Sequence, residues 1–320
     1  MNILFLFFNN SRSENNILKK ISSIEKYDAE CVFKPIRVWG RVIRRIHIIS
    51  GLPGIGIWML SWKKRITQYD VCVCVASRYS ANILKWIKRK NKNIKCINYF
   101  WDKVDISGYP VEESRILENW SFDKSDCQKY KMIYNPQFYV INSCFDKYQV
   151  LYDVTYVGAD RNGRLTERTK LVTKYYSLFK SLGISCWFYY VTQANSVPED
   201  IKHVSLLPEK DFYKICSQGK AILDLVDGEI KWMTFRPLLA LSNGKKVITN
   251  NSDIVKEPYY KKQNIFILGI DDEGQLKSFI ESGFDPYNDD VLEYYSVENW
   301  CERFWGPVVN TERLVTGSGP

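Results

Sequence analysis

Three arginines fall where a β-type run gives way to a helical one. In Val157–Arg164, VGADRNGR, a strand ends at Gly158, Arg161 and Arg164 follow, and a helix is expected near Thr166. In Met233–Asn251, MTFRPLLALSNGKKVITNN, Thr234 and Arg236 open a helix. Pro237 fits its first turn, where the missing N–H has no helical partner. Gly244 stops that helix and Lys245–Asn250 returns to a strand. Guanidinium forks match phosphate oxygens, glycine lets backbone come close to a ligand, and a helix start offers free N–H groups. A cation at such a start opposes the helix dipole. An anionic ligand is therefore its natural counter-group, and the alternative is an ion pair with Asp224 or Asp227.

The elements that position these residues alternate in type. Asn2–Phe8 is a continuous apolar run, followed by helical spacing at Ile17, Ile21 and Ile24. Glu30–Phe33 is a possible second strand, Tyr69–Ala76 is strongly β-type, Ala81–Lys90 reads as helix and Ile94–Trp101 as strand. A less regular region follows, and the alternation restarts at Asp153. There YDVTYVG, ISCWFYYV and KAILDLV are strand-like, with a helical face at Leu171, Tyr175, Leu178 and Leu182 closed by Gly183. Val291–Trp305 reads as one closing helix. Strands alternating with helices predict mostly parallel sheets covered on both faces. The expectation is an α/β chain of two Rossmann-like domains, 1–150 and 151–316, facing each other across a cleft. They join near Ile141–Leu151, and the last helix is free to return to the first domain. Ligands of such sheets bind beyond the carboxyl ends of the strands.

Two carboxylates are candidates for a catalytic base: Asp102, at the end of the strand-like NYFWD, and then Glu229, in the loop before Thr234. Either one alone is more economically a turn or cap residue. In FKPIRVWGRVIRRIHIIS, Arg37, Arg41, Arg44 and Arg45 share one helical face, while Val38, Trp39, Val42, Ile43, Ile46 and Ile49 cover the other. This basic amphipathic helix is open to two readings. It is either an interfacial or acceptor-binding element, or a domain helix with its apolar face in the core.

Composition narrows the classes. With 45% apolar residues the chain folds as a globular protein, and no run is long enough to cross a bilayer. The opening MNILFLFF lacks a basic flank and a cleavage site, so it reads as a strand and points to the cytoplasm. Nine cysteines without a C-x-x-C pair fit that compartment; Cys72 and Cys74 read as core. Two histidines argue against a His-rich metal site or a Ser-His-Asp triad. The net charge of +9 suits nucleic acid, an anionic membrane or phosphorylated small molecules. The closing Gly-Ser-Gly-Pro, 317–320, reads as an appended remnant and is set aside.

The chain resembles the GT-B glycosyltransferases encoded in bacterial O-antigen and capsule clusters. Thr234, Arg236, Pro237, Ala240, Leu241, Lys245, Lys246, Ile248, Thr249, Asn250 and Asn251 fall in register with that family's second-domain motif, and YDVTYVGADRNGR is similar to its donor-phosphate loop. YDVCVCVAS, YFWD and WSFDKSDCQKYKMIYNPQFY resemble first-domain stretches. The resemblance implies a nucleotide-sugar donor held by the second domain, with Gly158, Arg161, Arg164, Asp224, Thr234 and Arg236 around it. It also implies a polyprenyl-diphosphate-linked glycan acceptor held by the first, and a cytoplasmic enzyme peripheral on the inner membrane face. Two residues depart from the pattern: Leu239 stands where the family usually has a ribose-binding Glu, and Trp232 where it usually has Gly. No D-x-D triplet occurs, which fits transfer without a cofactor or metal, the arginines and helix ends stabilising the leaving diphosphate. Rival expectations are a non-catalytic nucleotide-sugar or glycan-binding protein on the same fold and, much less favoured because no motif supports it, a nucleic-acid binder.

Overall fold

The computed structural model describes residues 1–8, 12–111, 115–140, 145–160, 166–226 and 234–306. Arg161, Arg164, Asp227, Glu229, Trp232 and the 317–320 tail lie outside them. The chain divides into two compact units. The first is Met1–Gln137 joined by the segment from Val297, and the second is Phe138–Ser296.

The first unit runs β1 (Ile3–Phe7), α1 (Arg12–Ser22), β2 (Tyr27–Cys31), α2 (Val38–Ile49), β3 (Val71–Val75), α3 (Ser80–Lys90), β4 (Lys95–Phe100), α4 (Val104–Ser107), β5 (Glu118–Ser121), α5 (Lys124–Tyr130) and β6 (Ile133–Tyr134). All six strands are parallel, in the order β2-β1-β3-β4-β5-β6. β1 and β3 read as unbroken apolar runs, as strands of a parallel sheet covered on both faces do. Ile3–Phe7, Cys72 and Cys74 are accordingly buried.

The second unit holds β7 (Tyr152–Ala159), α6 (Thr166–Ser181), β8 (Cys186–Val191), β9 (Lys202–His203), α7 (Glu209–Ser217), β10 (Gly219–Asp224), α8 (Phe235–Leu241), β11 (Lys246–Thr249), β12 (Ile265–Ile267), α9 (Leu276–Glu281) and α10 (Asp289–Tyr294). Its strands are also parallel, ordered β12-β11-β10-β7-β8-β9. The chain builds outward from β7 to β9, then crosses over and builds the other way from β10. This is the doubly wound order, with its switch point between β7 and β10. α6 seats Val172, Tyr175, Tyr176 and Phe179 on the sheet at helical spacing. Gly183 then closes the turn after it with φ 66°.

Three elements differ from the sequence expectation. The second strand is Tyr27–Cys31, its register fixed by pairing Ile3 with Tyr27. The region past Trp101 contains β5 and β6, whose polar sequence hides them. The closing segment is two helices, α10 and α11 (Val297–Glu302). The break falls where the Tyr295 carbonyl accepts from the Tyr139 N–H at 2.9 Å. α11 belongs to the first unit, where Trp300 packs against Phe5, Tyr99 and Phe304. Asn135 holds α11 in place by donating to the Trp300 carbonyl at 3.2 Å and accepting from Arg303 Nε at 2.7 Å.

Candidate active site

Four of the sequence candidates, Gly158, Asp224, Thr234 and Arg236, lie together at the carboxyl edge of the second sheet. β10 ends at Asp224, whose side chain is 2% exposed. A carboxylate that deep needs donors, and three converge on it. Thr234 Oγ1 donates at 2.7 Å, Thr249 Oγ1 at 3.4 Å and Arg236 at 3.3 Å, so the ion pair with Asp224 that the sequence offered as the alternative to an anionic ligand is formed. The other terminal nitrogen of Arg236 donates to the Val157 carbonyl of β7 at 3.2 Å. One guanidinium thus links β7 and β10 across the switch point, where open α/β sheets bind their ligands.

Burial works against the charge of Arg236, but the attraction of Asp224 outweighs it and raises its pKa above the ordinary value. The cation is therefore permanent. Its Nε is buried and has no hydrogen-bond partner among the described residues. Neither does the buried hydroxyl of Tyr156, whose ring lies 5.9 Å from the guanidinium carbon. Burial pushes that phenol up to about 12, so it is a neutral donor. The fixed cation thus has one unmet nitrogen of its own and one unmet hydroxyl beside it, where most buried polar groups are paired.

Gly158 has a role the sequence did not reveal. A Cβ there would come within 2.5 Å of the Tyr156 hydroxyl, so the glycine makes room for the tyrosine as well as leaving the strand end bare. Thr234 caps α8, accepting from the Arg236 N–H at 3.3 Å. With seven residues and its own cap, α8 contributes little dipole, and the charge of this edge is that of Arg236. Leu239 is buried among Leu238, Ile254 and Tyr259, so position 239 faces the core.

Asn250 and Asn251, which sequence reasoning recorded without a role, hold the backbone beside the strand ends. Asn250 accepts from the Val226 N–H at 2.8 Å and donates to its carbonyl at 2.9 Å, pinning the chain just past β10. Asn251 caps the next turn by accepting from the Asp253 N–H. A pair of amides directly after a strand is the signal that marks them.

The first unit carries the remaining candidates. Asp102 follows β4 and is exposed. The switch point of that sheet lies elsewhere, between β1 and β3. Arg37, Arg41 and Arg45 are exposed around α2, whereas Arg44 folds onto the Phe33 ring at 4.1 Å. The outward side of α2 is apolar, which overturns the reading that its apolar face is core. The packed side is the one that carries Gly40, Arg44, His47 and Ile48.

No family model and no curated protein matches the chain. Solved structures do resemble it. The N-terminal domain of trehalose-6-phosphate phosphatase from Candida albicans is 8% identical, with TM-score 0.53 over 99% of this chain and 97% of that one. MnaA of S. aureus, solved with UDP, is 12% identical with TM-score 0.48 over 98% and 95%. MurG of Acinetobacter baumannii is 12% identical with TM-score 0.39 over 99% and 98%. At such identities the likeness concerns fold alone. The fold is α/β, two Rossmann-like units of the GT-B type, each with a six-stranded parallel sheet.

Proposed function

We propose that the chain is a glycosyltransferase that uses a nucleotide-diphosphate sugar as donor and a polyprenyl-diphosphate-linked glycan as acceptor, as in O-antigen or capsule synthesis. The observation that carries the reading is Arg236: a permanent, largely buried cation at a doubly wound switch point, with Nε unmet beside the unmet Tyr156 hydroxyl. A diphosphate is the ligand class that suits such a cation, since its oxygens accept charge-assisted bonds from guanidinium. The motif resemblance around Thr234–Asn251 supports the same assignment.

In the proposed step the acceptor hydroxyl oxygen bonds to the anomeric carbon and the bond from that carbon to the donor's β-phosphate oxygen breaks. Negative charge then grows on the departing diphosphate. Arg236 is already desolvated and fixed by Asp224 and Val157, so it stabilises that charge without reorganising. Arg161 and Arg164, which follow β7 in the sequence, are assigned the same role. The reading assigns this role to arginine and calls for no metal or cofactor. If configuration inverts, a carboxylate takes the acceptor proton; Asp102 is the first candidate and Glu229 the second.

A thermal-shift screen with UDP, GDP, dTDP, CDP and CMP tests the donor site, because a ligand that binds only the folded form raises the melting point. One nucleoside diphosphate is expected to raise it. Arg236→Ala should abolish the shift relative to that variant's own baseline, and Tyr156→Phe should reduce it. An unchanged shift in Arg236→Ala would overturn the assignment. Turnover with a polyprenyl-diphosphate acceptor then separates transfer from a binding-only protein, which would show the shift and form no product.

A further inference from the structure

α2 is mounted in reverse. A helix on a globular protein turns its apolar stripe to the core and its charges to water. Here Val38, Trp39, Val42, Ile43, Ile46 and Ile49 are between 45% and 81% exposed. At about 100° per residue they span an arc of roughly 140°. Leu52 and Ile57, on the loop that follows, extend the patch. That loop is fixed beneath the helix by His47, which accepts from Trp58 Nε1 at 3.0 Å and bonds the Pro53 carbonyl at 2.9 Å. A contiguous apolar surface of this size marks a place where something docks.

Charge identifies what docks. Between Glu30 and Asp70 the sequence contains no acidic residue. Lys34, Arg37, Arg41, Arg45 and Lys64 are exposed in that span, and Lys63 is half-buried. Lys63 and Lys64, with Lys90 and Trp86, also line an open pocket of about 570 Å³ beside Ile57, large enough for a lipid headgroup. A second copy of the chain is a poor occupant, because a two-fold interface sets a patch against itself and would bring arginine onto arginine. No helix among the described residues is long and apolar enough to cross a membrane. An apolar arc rimmed only by cations matches the headgroup zone of an anionic bilayer.

We infer that α2 lies flat on an anionic membrane, its apolar arc among the outer acyl segments and Arg37, Arg41, Arg45 and the neighbouring lysines on the lipid phosphates. This holds whatever the second unit binds. Co-sedimentation of the full chain with phosphatidylcholine vesicles, with and without phosphatidylglycerol, tests it. The chain is expected to pellet with the phosphatidylglycerol vesicles, less so as salt is raised. Ile43→Glu should weaken partitioning roughly tenfold or more, and Arg41→Gln and Arg45→Gln roughly fivefold each. These positions are exposed, so melting points should stay at the wild-type value. Val204→Glu, exposed in the second unit, should bind as wild type. Failure of the wild type to bind phosphatidylglycerol vesicles, or wild-type binding by Ile43→Glu, would overturn the inference. So would a dimer, seen by sedimentation equilibrium without vesicle binding, that Ile43→Glu dissociates.

Discussion

Replacing Arg236 with Met removes two hydrogen bonds and one charge from the β7–β10 junction. Asp224 stays buried and keeps only Thr234 and Thr249 as donors. Breaking a buried pair from one side typically costs about 3–5 kcal/mol, because the remaining charge is stranded. The Arg236 contacts are 3.3 and 3.2 Å, longer than a strong charge-assisted bond, so the low end, about 3 kcal/mol, applies. For a folding unit of this size that corresponds to a fall of roughly 6–12 °C in melting temperature. Adding Asp224→Asn removes the stranded charge. The double variant should recover most of the loss, with a coupling of about 2 kcal/mol. Calorimetry and urea titration of the two single variants and the double give the cycle. If Arg236→Met melts as wild type, or the double is as unstable as the two singles added, the pair does not hold this edge together.

Gly158→Ala should destabilise the second unit by about 1–3 kcal/mol, since the new methyl meets a fully buried tyrosine ring. Tyr156→Phe should be neutral or stabilising without ligand, because it deletes an unmet hydroxyl; urea midpoints read both. Asp123 and Asp153 sit below their ordinary value of 3.8. Burial opposes this in each. For Asp123 the donors Ser125, the Asp126 N–H and Lys103 outweigh it; for Asp153, Lys220 and Ser185 do. The folded state therefore takes up protons later than the unfolded one. This stabilisation is full above the unfolded value and is lost as pH falls through the folded one. Urea midpoints should drop below about pH 4, and Asp123→Asn should flatten the slope.

The runs that read most clearly in the sequence are β1, β3 and β8, apolar end to end, and the apolar centre Ala221–Leu223 of β10. β5, ENWS, escaped because Asn119 is satisfied only in the fold, by a bond from Asn98 at 3.1 Å. The periodicity of Val38–Ile49 disclosed a basic and an apolar side but not which faces water. The anchor of His47 to Trp58 and the Pro53 carbonyl decides that, and it exists only once the following loop has folded back under the helix. Asp224, Thr234 and Arg236 could be named as neighbours from the strand–loop–helix pattern. That Arg236 also reaches the Val157 carbonyl depends on β7 and β10 being adjacent, which follows only from the strand order; that Gly158 yields to Tyr156 is a side-chain approach within β7.

Isothermal titration calorimetry with nucleoside diphosphates tests the central claim, using the wild type and the Asp224→Asn, Arg236→Met double variant. The double is expected to keep the fold while lacking the cation. The wild type should bind one of the diphosphates at a single site, and the double should bind it at least roughly tenfold more weakly, the worth of one charge-assisted contact. Equal affinity in the two proteins, or no diphosphate bound by the wild type, would contradict the account.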